Sequence, residues 1–150
     1  MKSLFTTNPN NYAALIIRLT IGLVLFPHGA QKAFGMFGGN GFQGTMDFLT
    51  GAANLPYIVA LAVIFVELVG AICLILGFAT RFFAFAVLCL MIGIIYTTHL
   101  PNGFFMNWTG KQAGEGYEFH LLMIGLSLAA LISGGGKASI DSTIGRRRIY

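Results

Sequence analysis

Four long blocks of this chain carry almost no charge and are each close to the length of a bilayer-crossing helix, which restricts the possible fold more than any other feature. A hydrocarbon core about 30 Å thick takes about 20 helical residues at roughly 1.5 Å rise each. The blocks cover residues 12–34, 56–78, 82–100 and 117–133. The last is the shortest and runs into Gly134, Gly135 and Gly136, a helix stop. Charged residues make up 9% of the chain, against about 25% in an ordinary soluble domain, so lipid is the expected solvent. The sequence predicts an all-α polytopic membrane protein, a four-helix transmembrane bundle of up-down-up-down order, with residues 1–150 forming a single domain. Block one is read as a retained anchor. Arg18 interrupts its apolar run, and Lys32 stands where a leader peptide would have small residues.

Orientation follows from the basic residues. Lys2, Arg81, Lys137 and Arg146, Arg147 and Arg148 cluster at the ends that are cytoplasmic if the N-terminus is inside, whereas the opposite loops hold only Lys32 and Lys111. Loops 35–55 and 101–116 are then external, and both termini cytoplasmic. A basic C-terminal run of this kind suits an anionic lipid leaflet, not a nucleic-acid groove. The outer loops mix Gly with Phe34, Phe37, Phe42, Phe104, Phe105 and Trp108, as expected of segments that lie in the interface and fold back over the bundle. Cys73 and Cys89, without CxxC spacing, read as small buried apolar side chains, and no metal site is indicated. Gly39, Gly41 and Gly44 spell a dinucleotide fingerprint, but lack the strand and helix that give it meaning.

The polar residues inside or at the ends of the blocks are Arg18, His28, Lys32, Glu67, His99, Glu118 and His120. A charge at the bilayer centre costs at least about 2.5 kcal/mol, so each needs a partner or water. Arg18, Gly22, Leu25, Gly29 and Lys32 form one helical stripe, expected to face the bundle interior with His28 beside it. Depth counting makes Arg18 and Glu67 the first candidate ion pair. Towards the outer ends His28, Lys32, His99, Glu118 and His120 come within about two turns of the external surface, which predicts a polar pocket open to the outside. Glu118 and His120 cannot share one helix face, and Glu118 is the expected pocket residue. Gly22, Gly29, Gly70, Gly77, Gly93 and Gly125 provide for close helix packing.

These residues resemble the DoxX family of small bacterial and archaeal membrane proteins over nearly the whole chain. The resemblance rests on Arg18 with Gly22, then Pro27-His28-Gly29 and Lys32; Glu67, Gly70, Leu76-Gly77 and Thr80-Arg81; His99 with Gly103-Phe104-Phe105; Gly116-Tyr117-Glu118; and a closing Gly with Asp141. It implies a protein of the bacterial inner membrane, similar in some members to the small subunits of a thiosulfate:quinone oxidoreductase, with other membrane or redox proteins as partners. It transfers no catalytic residue. The readings open at this point are a redox-associated subunit whose pocket holds a quinone head group or small anion, with Arg18 and Lys32 supplying charge, His28 or His99 a hydrogen bond to a quinone oxygen and Glu67 or Glu118 a proton, a scaffold or assembly partner without a ligand, and a small-solute or proton-coupled transporter. Homo-oligomerisation would serve the transporter, since no internal repeat is visible. A bis-His haem on His28 and His99 is a further idea that rests on their similar depth alone.

Overall fold

The computed structural model describes residues 4–147, with side chains through residue 145. Lys2 and Arg148, and the side chains of Arg146 and Arg147, lie outside the described residues. All regular structure among those residues is helical. Helix α1 spans Tyr12–Phe34, α2 Gly41–Asp47, α3 Tyr57–Leu76, α4 Thr80–Asn102, α5 Glu118–Ser133 and α6 Ile140–Arg147. Helices α1, α3 and α4 are long and apolar enough to cross a membrane, and α5 is a shorter apolar helix. This is a membrane protein. Large hydrophobic side chains such as Ile16, Leu23, Ile58, Phe65, Ile92, Leu122 and Ile132 point outward without cover, which water would not tolerate at this density.

Local chemistry sets the helix ends. The Asn11 side chain accepts a hydrogen bond from Ala14 N–H at 3.1 Å and caps α1. At its far end Gly35, with φ 70°, closes back on the Gln31 carbonyl. Helix α3 ends in paired reverse bonds, Gly77 N–H to Leu74 C=O and Phe78 N–H to Cys73 C=O, with Gly77 at φ 67°. The start of α4 is capped from far along the chain: both carboxylate oxygens of Asp141 accept from Ala79 and Thr80 N–H groups, at 2.7 and 2.9 Å. Helix α6 carries that carboxylate, and Asp141 N–H returns a bond to the Gly77 carbonyl at 2.9 Å.

The core lies where α1, α3, α4 and α5 meet, and is built from Ile21, Leu25, Ala71, Leu74, Val87, Met91 and Met123. Helix α1 packs against α3 most closely at its glycines. A Cβ on Gly22 would sit 2.8 Å from the Ala71 carbonyl oxygen, and one on Gly29 would sit 2.6 Å from the Glu67 carbonyl. Gly70 faces the Phe83 ring, and Gly77 faces Ser139 and Arg18. Gly93 and Gly125 depart from the expectation: nothing lies within 4 Å of a Cβ built on either, because both are on outward faces. Cys89 likewise is exposed, not buried, while Cys73 is half-buried.

Candidate functional site

Rising numbers on α1 meet falling numbers on α3, Gly22 with Ala71 and Gly29 with Glu67, so the two helices run antiparallel. Side chains on a helix lean towards its N-terminus. Arg18 therefore leans away from Glu67, and Lys32, further along the same stripe and beyond Gly29, leans back towards it, while Glu67 leans to meet Lys32. The expected Arg18–Glu67 ion pair is not formed for this reason. Glu67 instead accepts from Lys32 Nζ at 2.5 Å, with the carboxylate buried and the ammonium half-covered. Glu67 sits in a widened, π-helical turn, Val66–Gly70, and His99 closes a second one, Ile95–His99. Such turns re-aim side chains by inserting a residue into the helix, and are frequent at functional sites.

Arg18 has a different task. Its five N–H donors reach the carbonyls of Gly135 (2.8 Å), Leu74 (3.0 Å), Ile75, Lys137 (3.1 Å) and Ala138 (2.8 Å). Leu74 and Ile75 belong to the last turn of α3, where carbonyls lack i+4 helical partners and the Leu74 oxygen also accepts from the Gly77 N–H of the cap. A buried guanidinium at that end compensates the negative pole of α3 and ties it to the chain after α5. Arg81 does the same nearby, donating to the Leu131 and Thr6 carbonyls. Arg18 thus leaves the predicted pocket and becomes a structural clasp.

The other predicted residues do converge. A cavity of about 370 Å³ is lined by His28, Lys32, Glu67, His99 and His120, together with Glu115 and the apolar Leu25, Met91, Ile94, Met106 and Phe119. All three histidines of the chain are in it. The His99 and His120 rings lie 4.3 Å apart, and His99 Nδ1 donates to the Glu115 carbonyl at 2.7 Å, since a carbonyl can only accept. His120 is buried, and its Nδ1 has no partner among the described residues. Among those residues no group of three His, Cys, Asp or Glu side chains is arranged to hold a metal ion.

Glu118 is the second correction. It lines a neighbouring groove, where its Oε1 accepts from Trp108 Nε1 at 3.1 Å, and His120 takes the pocket position that Glu118 was expected to hold. The cause is the loop before α5: Glu118 N–H bonds the Phe104 carbonyl at 2.9 Å, which fixes the first turn of the helix against the returning strand of loop and turns Glu118 to the loop side. Gly116 permits that approach, since a Cβ there would sit 2.3 Å from the Phe105 carbonyl oxygen. Glu115 was not foreseen. Its Oε2 accepts from Asn107 N–H at 2.6 Å and its carbonyl from Asn102 and His99, contacts that join residues far apart in a loop without periodicity.

Residues 13–100 match the sequence model of the DoxX family. The chain belongs to the DoxX family. It is also 28% identical over 127 residues to the protein of Bacillus subtilis (strain 168) named "Putative oxidoreductase CatD", an alignment covering 85% of this chain and 83% of that one. No solved structure matches it. Arg18, His28, Lys32, Glu67 and His99 fall within the segment that matches DoxX, whereas Glu115, Glu118 and His120 fall beyond it. The Lys32–Glu67 pair is therefore built from the family segment, whereas the Arg18 clasp takes the Gly135, Lys137 and Ala138 carbonyls from beyond it, and the cavity is completed by α5 and its preceding loop.

Proposed function

We propose that this DoxX protein is a redox-associated subunit of the bacterial inner membrane whose outward-facing cavity binds a quinone head group. The observation that carries this reading is a cavity of about 370 Å³ in which a buried His120 nitrogen stands without a partner beside His99, Lys32 and Glu67. That volume is within the usual range for small-molecule sites, roughly 300–1,000 Å³, and mixes apolar walls with a few polar groups, as such sites do. His120 Nδ1 and the Lys32 ammonium would donate to the quinone oxygens, His99, whose N–H is taken by the Glu115 carbonyl, would accept at Nε2 from a hydroxyl of the reduced head group, and Glu67 would hold or release a proton at the Lys32 end. Of the two ligands expected from the sequence, a neutral head group is the better supported. Both cations expected to attract an anion are committed, Arg18 to five carbonyls and Lys32 to Glu67. The name of the CatD relative adds support for a redox setting.

The same reading places α1, α3, α4 and α5 as four spans in up-down-up-down order within one domain, with both termini cytoplasmic. The cavity then opens outward and the Arg18 clasp lies at the cytoplasmic end. Extraction and mass spectrometry of protein purified natively tests the proposal. Quinone should co-purify with the wild type and be lost in His120→Phe, which should keep the melting temperature of the wild type within a few degrees. Loss of quinone only in step with loss of folded protein would favour the ligand-free scaffold instead.

A further inference from the structure

The polar cavity shares Met106 and Phe119 with a second cavity of about 470 Å³, otherwise lined by Phe104, Trp108, Glu118, Leu121 and Leu122. The carboxylate of Glu118, the groove's one ionisable group, is engaged by Trp108 Nε1, so the groove has an apolar interior. It opens on the surface beside Leu122, which is 69% exposed on the outward face of α5. A polar chamber and an apolar groove that reaches the exposed apolar face of α5 thus share a wall made of one flexible thioether and one ring.

We infer that the site takes an amphiphile from the membrane, its head in the histidine cavity and its hydrocarbon chain leaving past Met106 and Phe119 along the Leu121–Leu122 groove. This rests on the head-group reading above and adds the substrate class: a lipid-borne quinone in place of a water-soluble one. Lipid is as apolar as the groove, so the groove contributes an exit path more than hydrophobic affinity. Blocking it should exclude chain-bearing ligands and spare chainless ones.

Trp108 is the sole tryptophan of the chain and lines the groove, so saturable quenching of its fluorescence reports binding in lipid nanodiscs. The probes are 2,3-dimethoxy-5-methyl-1,4-benzoquinone and its decyl derivative. The double variant Leu121→Phe, Leu122→Phe should bind the decyl probe about tenfold more weakly than wild type and the chainless probe within about twofold. Gly93→Leu, in the apolar groove between α3 and α4 that meets the polar cavity only at Ile94 and where a Cβ meets nothing within 4 Å, should change neither. Unchanged decyl binding in the double variant overturns the inference, as does selective decyl loss in Gly93→Leu. So does equal loss of both probes in the double variant and in the milder Leu122→Phe alone. Wild type that binds neither probe refutes the head-group reading itself, and the inference with it.

Discussion

Arg18 and Lys32 stand on the same stripe of one helix, yet they do opposite things because each side chain leans towards the N-terminus of α1. For Arg18 that direction leads to the carbonyls at the end of α3 and those of the chain after α5, which a planar five-donor group can satisfy together. For Lys32 it leads to Glu67. Double-mutant cycles separate the two assignments. Lys32→Ala with Glu67→Ala should show a coupling of about 0.5–3 kcal/mol in detergent-solubilised stability, and Arg18→Ala with Glu67→Ala should be additive. Coupling in the second cycle would restore the pairing that depth alone suggests.

At the scale of elements, two contacts carry unusual weight. Helix α4 has no capping side chain of its own at Ala79, and Asp141 supplies one from α6. Asp141→Ala should therefore cost about 1–2 kcal/mol, read as a lower melting temperature, while Ser142→Ala, beside it, should cost little. Helix α1 meets α3 at Gly29, where the neighbour is backbone and cannot turn aside. Gly29→Ala should force the helices apart at a cost of about 1–3 kcal/mol. Since Lys32 lies one turn further along α1, it should also loosen the Lys32–Glu67 pair, visible as smaller coupling in the first cycle above.

For the whole molecule, the proposed orientation gives a direct expectation. In a background with Cys73 and Cys89 changed to Ala, single cysteines at Asn40 and Asn107 should react with a membrane-impermeant thiol reagent added outside, and one at Ser142 should not. Reaction at Ser142 alone would invert the molecule and place the histidine cavity on the cytoplasmic side. The structure itself segregates polar chemistry to two ends: Arg18, Arg81 and Asp141 at one, and His28, Lys32, His99 and Glu115 at the other.

The sequence by itself determined where the long apolar helices lie, because bilayer thickness sets a length scale and a charge is costly within it, conditions visible residue by residue. The boundaries 12–34 and 117–133 lie within a residue of Tyr12–Phe34 and Glu118–Ser133. Periodicity also identified the inward stripe of α1, on which Arg18, Leu25 and Gly29 are buried. It could not say who pairs with whom. That depends on the lean of each side chain, on the widened turns at Glu67 and His99, and on a loop that returns to put Glu115 and His120 beside His99. Helix α6 was equally hidden, being short and polar, with no membrane to impose a length on it. These choices are made by contacts between distant segments, and only the tertiary structure contains them.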